Sequence, residues 1–582
     1  MQKHKLATIS SVQSGKVSNY FSALVPTENN FLLAAREATF VYYTVIHNHS
    51  FRSMSCTSEL IRQCLNDKKF TCAKTKIREI VVNVICPYIV DNTLKELSFA
   101  NYVSVLVDGS NHKAIKLVPV VVRYFLPHVG VKNKILEFSN LPGFSNLPGE
   151  TSDLINSKII DVLTKFGLKR KIVALSADNK NTNFGGLNRK GKDNMHPKLQ
   201  TELKKDILGL GCNAHILHNA IASDNLPIDA EAITVKLFGY FHIYAMRVEK
   251  LKEFCDFANI QYRDILSHAK TRWLSLSPAI DRIILMFDGL KSYFLSQDSS
   301  PKILVDFFQN VIALLCIKFI QSMLKLFNNY IQKIEGEKMS AFELIEILNS
   351  LLNNLKNRKN EHFINTEMEI IIDSIEEESY LVKKEFDINC QKFYDLCISY
   401  IQKWTLPNQA LMVELNWLNL TNKNTVTWNN AKNTIKMISK YVKVNEDEYF
   451  DEFMAFINIF QDKFNDWTKN VISVEQKWVQ IFNIFKEKDV NVSNLAMVVE
   501  FAFCLPGSNA SIERVFSLMT TTWTEVRNQM DTKTIECCLI TKTYGLSCIE
   551  FYNEIIKNPT FLKKIHSTEK YKVSLDDKNK EK

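Results

Sequence analysis

Three carboxylates and a short Cys/His pair are the residues of this chain whose types and settings could do chemistry. Asp108 closes the apolar run NYVSVLVDGS and Asp178 closes KIVALSADNK, each standing where a buried strand would run out. Glu513 lies in PGSNASIERVFSLMTTTWTEVR, Pro506 to Arg527, far along the chain. Brought together, three such acids make a divalent-metal site, because hard cations prefer carboxylate oxygens. Singly, each has an ordinary use: aspartate after a strand is common turn chemistry, and glutamate early in a helix is common capping chemistry. Cys212 and His215, in GLGCNAHILHNAI, offer two ligands at C-x-x-H spacing. A structural zinc site needs four, and no second pair lies nearby in sequence, so no structural zinc is expected. Cys212 alone reads as a small buried hydrophobe. His218 and Asn219 follow with no motif behind them.

The elements that must position these groups are readable from spacing. Ile512, Val515, Phe516 and Met519 fall at i, i+3, i+4 and i+7, one apolar helical face with Glu513 about 90 to 100° round from it. Gly507 and Ser508 read as turn and N-cap, which sets the glutamate in the first turns, where the helix dipole favours an anion. Upstream, Tyr102 to Val107, Ala114 to Phe125 and Val131 to Phe138 are rich in β-branched and aromatic residues and read as a three-stranded antiparallel meander. A helix over Thr151 to Phe166 then leads to a strand over Ile172 to Ala177. FSNLPG occurs twice in tandem, at Phe138 to Gly143 and Phe144 to Gly149, and reads as a lengthened surface loop, since doubling a loop costs only about 0.6 kcal/mol of closure entropy. From about Asp281 to Val499 apolar residues recur every three to four positions, and the strands stop.

Read in order, LVDGS, LSADN, GLGCNAHILHNAI, KTRWLSL with Arg272 and Trp273, and SNASIERVFS resemble the successive blocks of the hAT superfamily of DNA transposases. The resemblance spans about residues 40 to 545, and YYTVIHNHSFRSMSC with the tail of the last block resembles the transposon-derived animal proteins of that superfamily. It implies an α/β plus α fold class: an RNase H-like catalytic core interrupted by a large all-helical insertion, with an N-terminal helical region. The strand, helix, strand order fits that core. The expected division is a mobile segment over 1–30, a helical region over 31–98, the first part of the core over 99–280, the insertion over 281–499, core completion with a C-terminal dimerisation region over 500–560, and a charged tail over 561–582. The resemblance implies DNA cleavage and strand transfer by a two-metal site of Asp108, Asp178 and Glu513 with Mg²⁺ or Mn²⁺. It implies DNA contacts from His215, Arg272 and Trp273, the indole stacking on an unpaired base. Cys212 would be structural beside them. Val515, Phe516, Leu518, Leu539 and Ile540 would serve a homodimer or higher oligomer, and the nucleus, or failing that the cytoplasm, would be the location. The family's N-terminal zinc finger is missing, because Cys56, Cys64, Cys72 and Cys86 have the wrong spacing. A catalytically silent nuclear scaffold that dimerises is therefore the alternative.

Composition agrees with either. The 582 residues, 46% apolar, can bury several cores. Seventy-two basic against 63 acidic side chains give +9, a bias that permits nucleic-acid binding without demanding it. None of the 13 cysteines begins a C-x-x-C pair, so neither a disulfide framework nor a zinc ribbon is written here, and an intracellular, reducing setting is expected. The N-terminus lacks an apolar signal core, and the longest apolar runs, such as Val311 to Ile320 with Lys318 inside it, fall short of a membrane span.

Overall fold

The computed structural model describes residues 28–112, 115–141, 152–185, 191, 193–221, 228–268, 276–297, 299–375, 379–524 and 530–571. The first helix, α1, is Glu28–Ile46, and α2 is Cys86–Phe99, reached through a π-helical turn at Val81–Ile85. The sheet follows: β1 (Val103–Val107), β2 (Ser110–His112), β3 (Ile115–Leu126) and β4 (Gly130–Leu141). Helix α3 (Ser152–Lys165) crosses over to β5 (Ile172–Ala177), which lies parallel to β1, and β6 (Leu208–Gly211) lies parallel to β5. The expected meander, crossover helix and parallel strand are all present, so the fold is α plus β with one mixed sheet. Two strands escaped the spacing argument. Neither SNH nor LGLG carries the β-branched run that marks a strand, and pairing alone makes them.

β3 pairs with β4 along one edge and with both β1 and β2 along the other, so β2 prolongs β1 after a break. The register explains the break. Val107 faces Val120 and Ser110 faces Leu117, which sets Asp108 opposite Pro119, a residue with no N–H to give a ladder. Alternation then sorts the faces. Val103, Val105 and Val107 join Ile155, Ile159 and Val162 of α3 in one apolar layer. Ser104 and Leu106 point to the opposite face, which segments from the far end of the chain cover.

The run of helices begins with α4 (Asn213–Ile221), immediately after β6 and well before the expected Asp281. Its apolar faces form a core of their own with helices as distant as Ser379–Glu414. The long apolar stretch after Lys302 is two helices, Lys302–Gln309 and Ala313–Ile334, bent by 94° at a break where Asn310 is extended. Among the described residues no single helix is long and apolar enough to cross a membrane.

The chain returns to the sheet through α5 (Ser493–Cys504) and α6 (Ala510–Thr522). A clasp holds the return: Ala341 N–H donates to Leu505 O at 2.9 Å and Gly507 N–H to Met339 O at 3.1 Å. Arg123 of β3, fully buried, secures the same place by donating to the carbonyls of Phe503 (2.9 Å), Glu337 (3.1 Å) and Lys338 (2.9 Å) and to Ser340 Oγ (2.9 Å).

After α6 come α7 (Thr532–Lys542), a helix at Cys548–Ile555 and α8 (Pro559–His566). These pack on the N-terminal helices: Tyr42 donates to Leu546 O at 2.7 Å and stacks on Phe551 at 4.2 Å, and Tyr88 donates to Glu554 at 2.6 Å. Val515, Phe516, Leu539 and Ile540 are buried in this joint core, with Leu518 packed against it. Residues 561–571 are no charged tail, since Phe561, Leu562 and Ile565 are buried there too. Residues 1–27, read as mobile, the second FSNLPG and residues 572–582 lie outside the described residues.

Candidate functional site

The two aspartates come together through register. Leu106 pairs with Ser176 on the adjacent parallel strands, so continuing both strands by two residues brings Asp108 alongside Asp178. Both leave the sheet at the carboxyl ends of their strands, the end where open α/β sheets gather ligands. Asp108 Oδ1 accepts from Gly109 N–H at 2.8 Å. Burial, and after it the charge of Asp178, lifts the Asp108 carboxyl from its ordinary 3.8 to about 6, against the opposing pull of the Gly109 N–H, His215 and Lys180. Asp178 is 6% exposed and fully engaged: Lys180 Nζ lies 2.8 Å from Oδ2, and the amide of Asn183 donates to Oδ1 and, at 3.1 Å, to the Asp178 carbonyl.

Cys212 and His215 arrive on the next strand and helix. Cys212 N–H donates to Ala177 O at 3.0 Å, extending the β5–β6 ladder, and its buried side chain sits just ahead of α4. His215 follows in the first turn of α4, half-buried. Burial works against a charge on His215. The Cys212 side chain beside it, and after it the charges of Glu513 and Asp108, outweigh that cost and raise it to about 10. One turn further on, His218 is buried beside it and pushed down to about 4, by burial first and the charge of His215 second.

Glu513 completes the group from the other end of the chain. Asn509, rather than the expected Ser508, takes the N-cap position of α6. Its side chain does not cap. Instead Asn509 Oδ1 accepts from Ser176 Oγ at 2.7 Å, and Asn509 N–H reaches Cys212 Sγ at 3.4 Å. The start of α6 is thereby tied to β5 and to the Cys/His pair, and Glu513, in its first turn and half-buried, faces them. One ligating atom each from Cys212, His215 and Glu513 lie within 4.8 Å of one another, a group that could hold a metal ion.

The sequence-derived acids are linked only in steps: Asp108 feels the charges of Asp178 and His215, and His215 feels those of Glu513 and Asp108, whereas the close ligand group found among the described residues, Cys212, His215 and Glu513, leaves both aspartates out. Arg272 and Trp273 lie outside the described residues. Lys180, Asn183 and Asn509 were not singled out in the sequence. The Asn-rich ADNKNTNFG after β5 was the available signal, since a cluster of short amides after a strand marks a loop that hydrogen-bonds locally.

Asp108 and Asp178 offer carboxylate oxygens, donors that suit a hard cation, and the Lys180 ammonium sits on Asp178. That lysine side chain is 58% exposed. Comparison with protein-family models and with curated proteins finds no match for this chain.

Proposed function

We propose that this protein is a divalent-metal nuclease of transposase type, resembling the hAT superfamily, with Asp108, Asp178 and Glu513 as its metal-holding acids. The observation that supports the reading is the setting of these acids: register puts Asp108 beside Asp178 at the ends of adjacent strands, and His215 feels the charges of both Asp108 and Glu513. With it goes an RNase H-like assignment of the sheet, supported by the meander, crossover helix and parallel strand in that order.

Two bound divalent ions would supply Lewis acidity to the attacking and leaving oxygens of a phosphodiester. The chain's own residues do the rest. Asp108 and Asp178, side by side, would present oxygens to the ions, with Glu513 supplied from α6. Lys180 neutralises Asp178 until a cation takes its place. His215, charged at neutral pH, stands ready to donate to a phosphate oxygen.

The test is nicking of supercoiled plasmid by the full-length protein with Mg²⁺ or Mn²⁺. Cleavage should appear with metal, vanish with chelator and fall by about 10²–10³-fold in Asp178→Ala, in line with the loss of one preorganised electrostatic group. Cleavage that persists undiminished in that variant would falsify the reading. The scaffold alternative draws on a different observation. Lys158 and Lys165 pair with Glu137, Lys180 with Asp178 and Lys198 with Asp153, so these basic side chains around the sheet are spent within the chain. A metal-independent wild type that never cuts would favour it.

A further inference from the structure

We propose that Cys212, His215 and Glu513 form a second metal site, selective for thiophilic cations such as Zn²⁺, that overlaps the carboxylate site through Glu513. The three ligating atoms already lie within 4.8 Å of one another. Sulfur, imidazole nitrogen and one carboxylate oxygen are a zinc donor set, and three protein ligands with a fourth place left for water are the pattern of open zinc sites. Mg²⁺ and Mn²⁺ want oxygen around them and gain little from a thiolate, whereas Zn²⁺ gains much. The two sites thus sort metals by softness.

Local structure is built for this. Cys212 and His215 stand on either side of the first turn of α4, where spacing of three brings side chains together. The Asn509 N–H aimed at Cys212 Sγ is the kind of outer partner that favours a thiolate and fixes its direction. Nδ1 of His215 is buried with no hydrogen-bond partner, an unmet polar atom at the site itself. Glu513 and His215 remain half-buried, which leaves an entry path. The C-x-x-H spacing looked too sparse for zinc because the third ligand comes from α6, invisible to any local count.

The metal site stands without the nuclease reading, but its consequence rests on that reading: zinc bound here holds Glu513 away from Asp108 and Asp178, and so opposes hard-metal loading. Binding also expels protons from the thiol and the imidazole, because only their deprotonated forms are ligands.

Cobalt(II) titration of the full-length chain tests the site. One equivalent should give a sulfur-to-cobalt charge-transfer band together with the visible bands of tetrahedral coordination, both bleached by Zn²⁺. Cys212→Ser should lose the sulfur band. Glu513→Gln, which alters a half-exposed side chain and should leave folding intact by circular dichroism, should weaken cobalt binding by at least about 10-fold. The exposed Cys56 and Cys64 are the competing thiols, so a Cys56→Ser/Cys64→Ser protein must keep the band. A wild type without a sulfur band, a band that survives Cys212→Ser, or one lost with Cys56 and Cys64 overturns the site. Mn²⁺ binding followed by electron paramagnetic resonance separates the two readings. Zn²⁺ should displace Mn²⁺ from the wild type. Cobalt bands without any Mn²⁺ binding would end the two-ion reading and leave this site standing.

Discussion

At the scale of single residues, Asp108 is the group whose environment makes the sharpest demand. Its carboxyl is held at about 6 in the folded chain against 3.8 ordinarily, by burial first and Asp178 second. A raised acid favours folding while protonated, so that contribution is fully present below 3.8 and is lost as pH rises through about 6. Asp108→Asn should therefore stabilise the protein by about 1–2 kcal/mol at about pH 8, after allowance for solvent screening, with the gain shrinking as the pH falls below 6. Thermal melts across pH measure it, and a difference independent of pH would contradict the account. Mg²⁺ or Mn²⁺ should raise the wild-type melting temperature and leave that of Asp108→Asn nearly unmoved, since binding only the folded state stabilises it. Asp108 and Asp178 were legible because apolar strands end in them. Asn509 was not, because its work is to join β5, Cys212 and α6, and only the folded chain shows what it touches.

At the scale of elements, strand boundaries read from β-branched runs agree with the structure to within a few residues, and β5 agrees at both ends. Failures have a shared cause. SNH and LGLG became strands because neighbours offered them a ladder, and the apolar run after Lys302 broke in two where Asn310 turns extended. Helical periodicity survives such a bend, so the pattern gave no warning of it. Arg123 is another tertiary feature. Buried in β3, it is pushed down to about 10 by that burial yet stays charged at neutral pH, and it serves three carbonyls that nothing else in the sequence foretells. Arg123→Met keeps the bulk and removes the donors, which should cost about 3–5 kcal/mol. The loss should appear as a lower melting temperature with faster amide exchange at residues 337–341 and 503–507. Unchanged exchange there would mean that the clasp holds without it. Gly211 makes a gentler test. A Cβ at that position would meet Asn179 Oδ1 at 1.9 Å, and Asn179 Nδ2 in turn donates to Cys212 O at 3.4 Å. Gly211→Ala should disturb the Cys212/His215 turn more than overall stability, read, if the proposed site is right, as weaker cobalt binding at a nearly unchanged melting temperature.

At the scale of the whole molecule, the two ends of the chain make one helical layer, α1 and α2 with α7 and α8, on one face of the sheet. No local pattern announces that partnership. Leu539, wholly buried there, discriminates. Leu539→Asp should unfold or strongly destabilise the chain, by about 3 kcal/mol or more from an unpaired buried charge, rather than yield a well-folded monomer. Sedimentation with circular dichroism decides between the two. The same layout governs when the site can exist at all. Asp178 leaves the ribosome long before Glu513, and at about 5–20 residues per second the gap is on the order of half a minute. Until the last helices emerge and close against the first, a nascent chain holds two aspartates with no third acid. Premature termination or proteolytic trimming of the final segment leaves it in the same condition. If the proposed nuclease reading holds, such a chain is harmless while incomplete, and arming it requires the last helices to be in place.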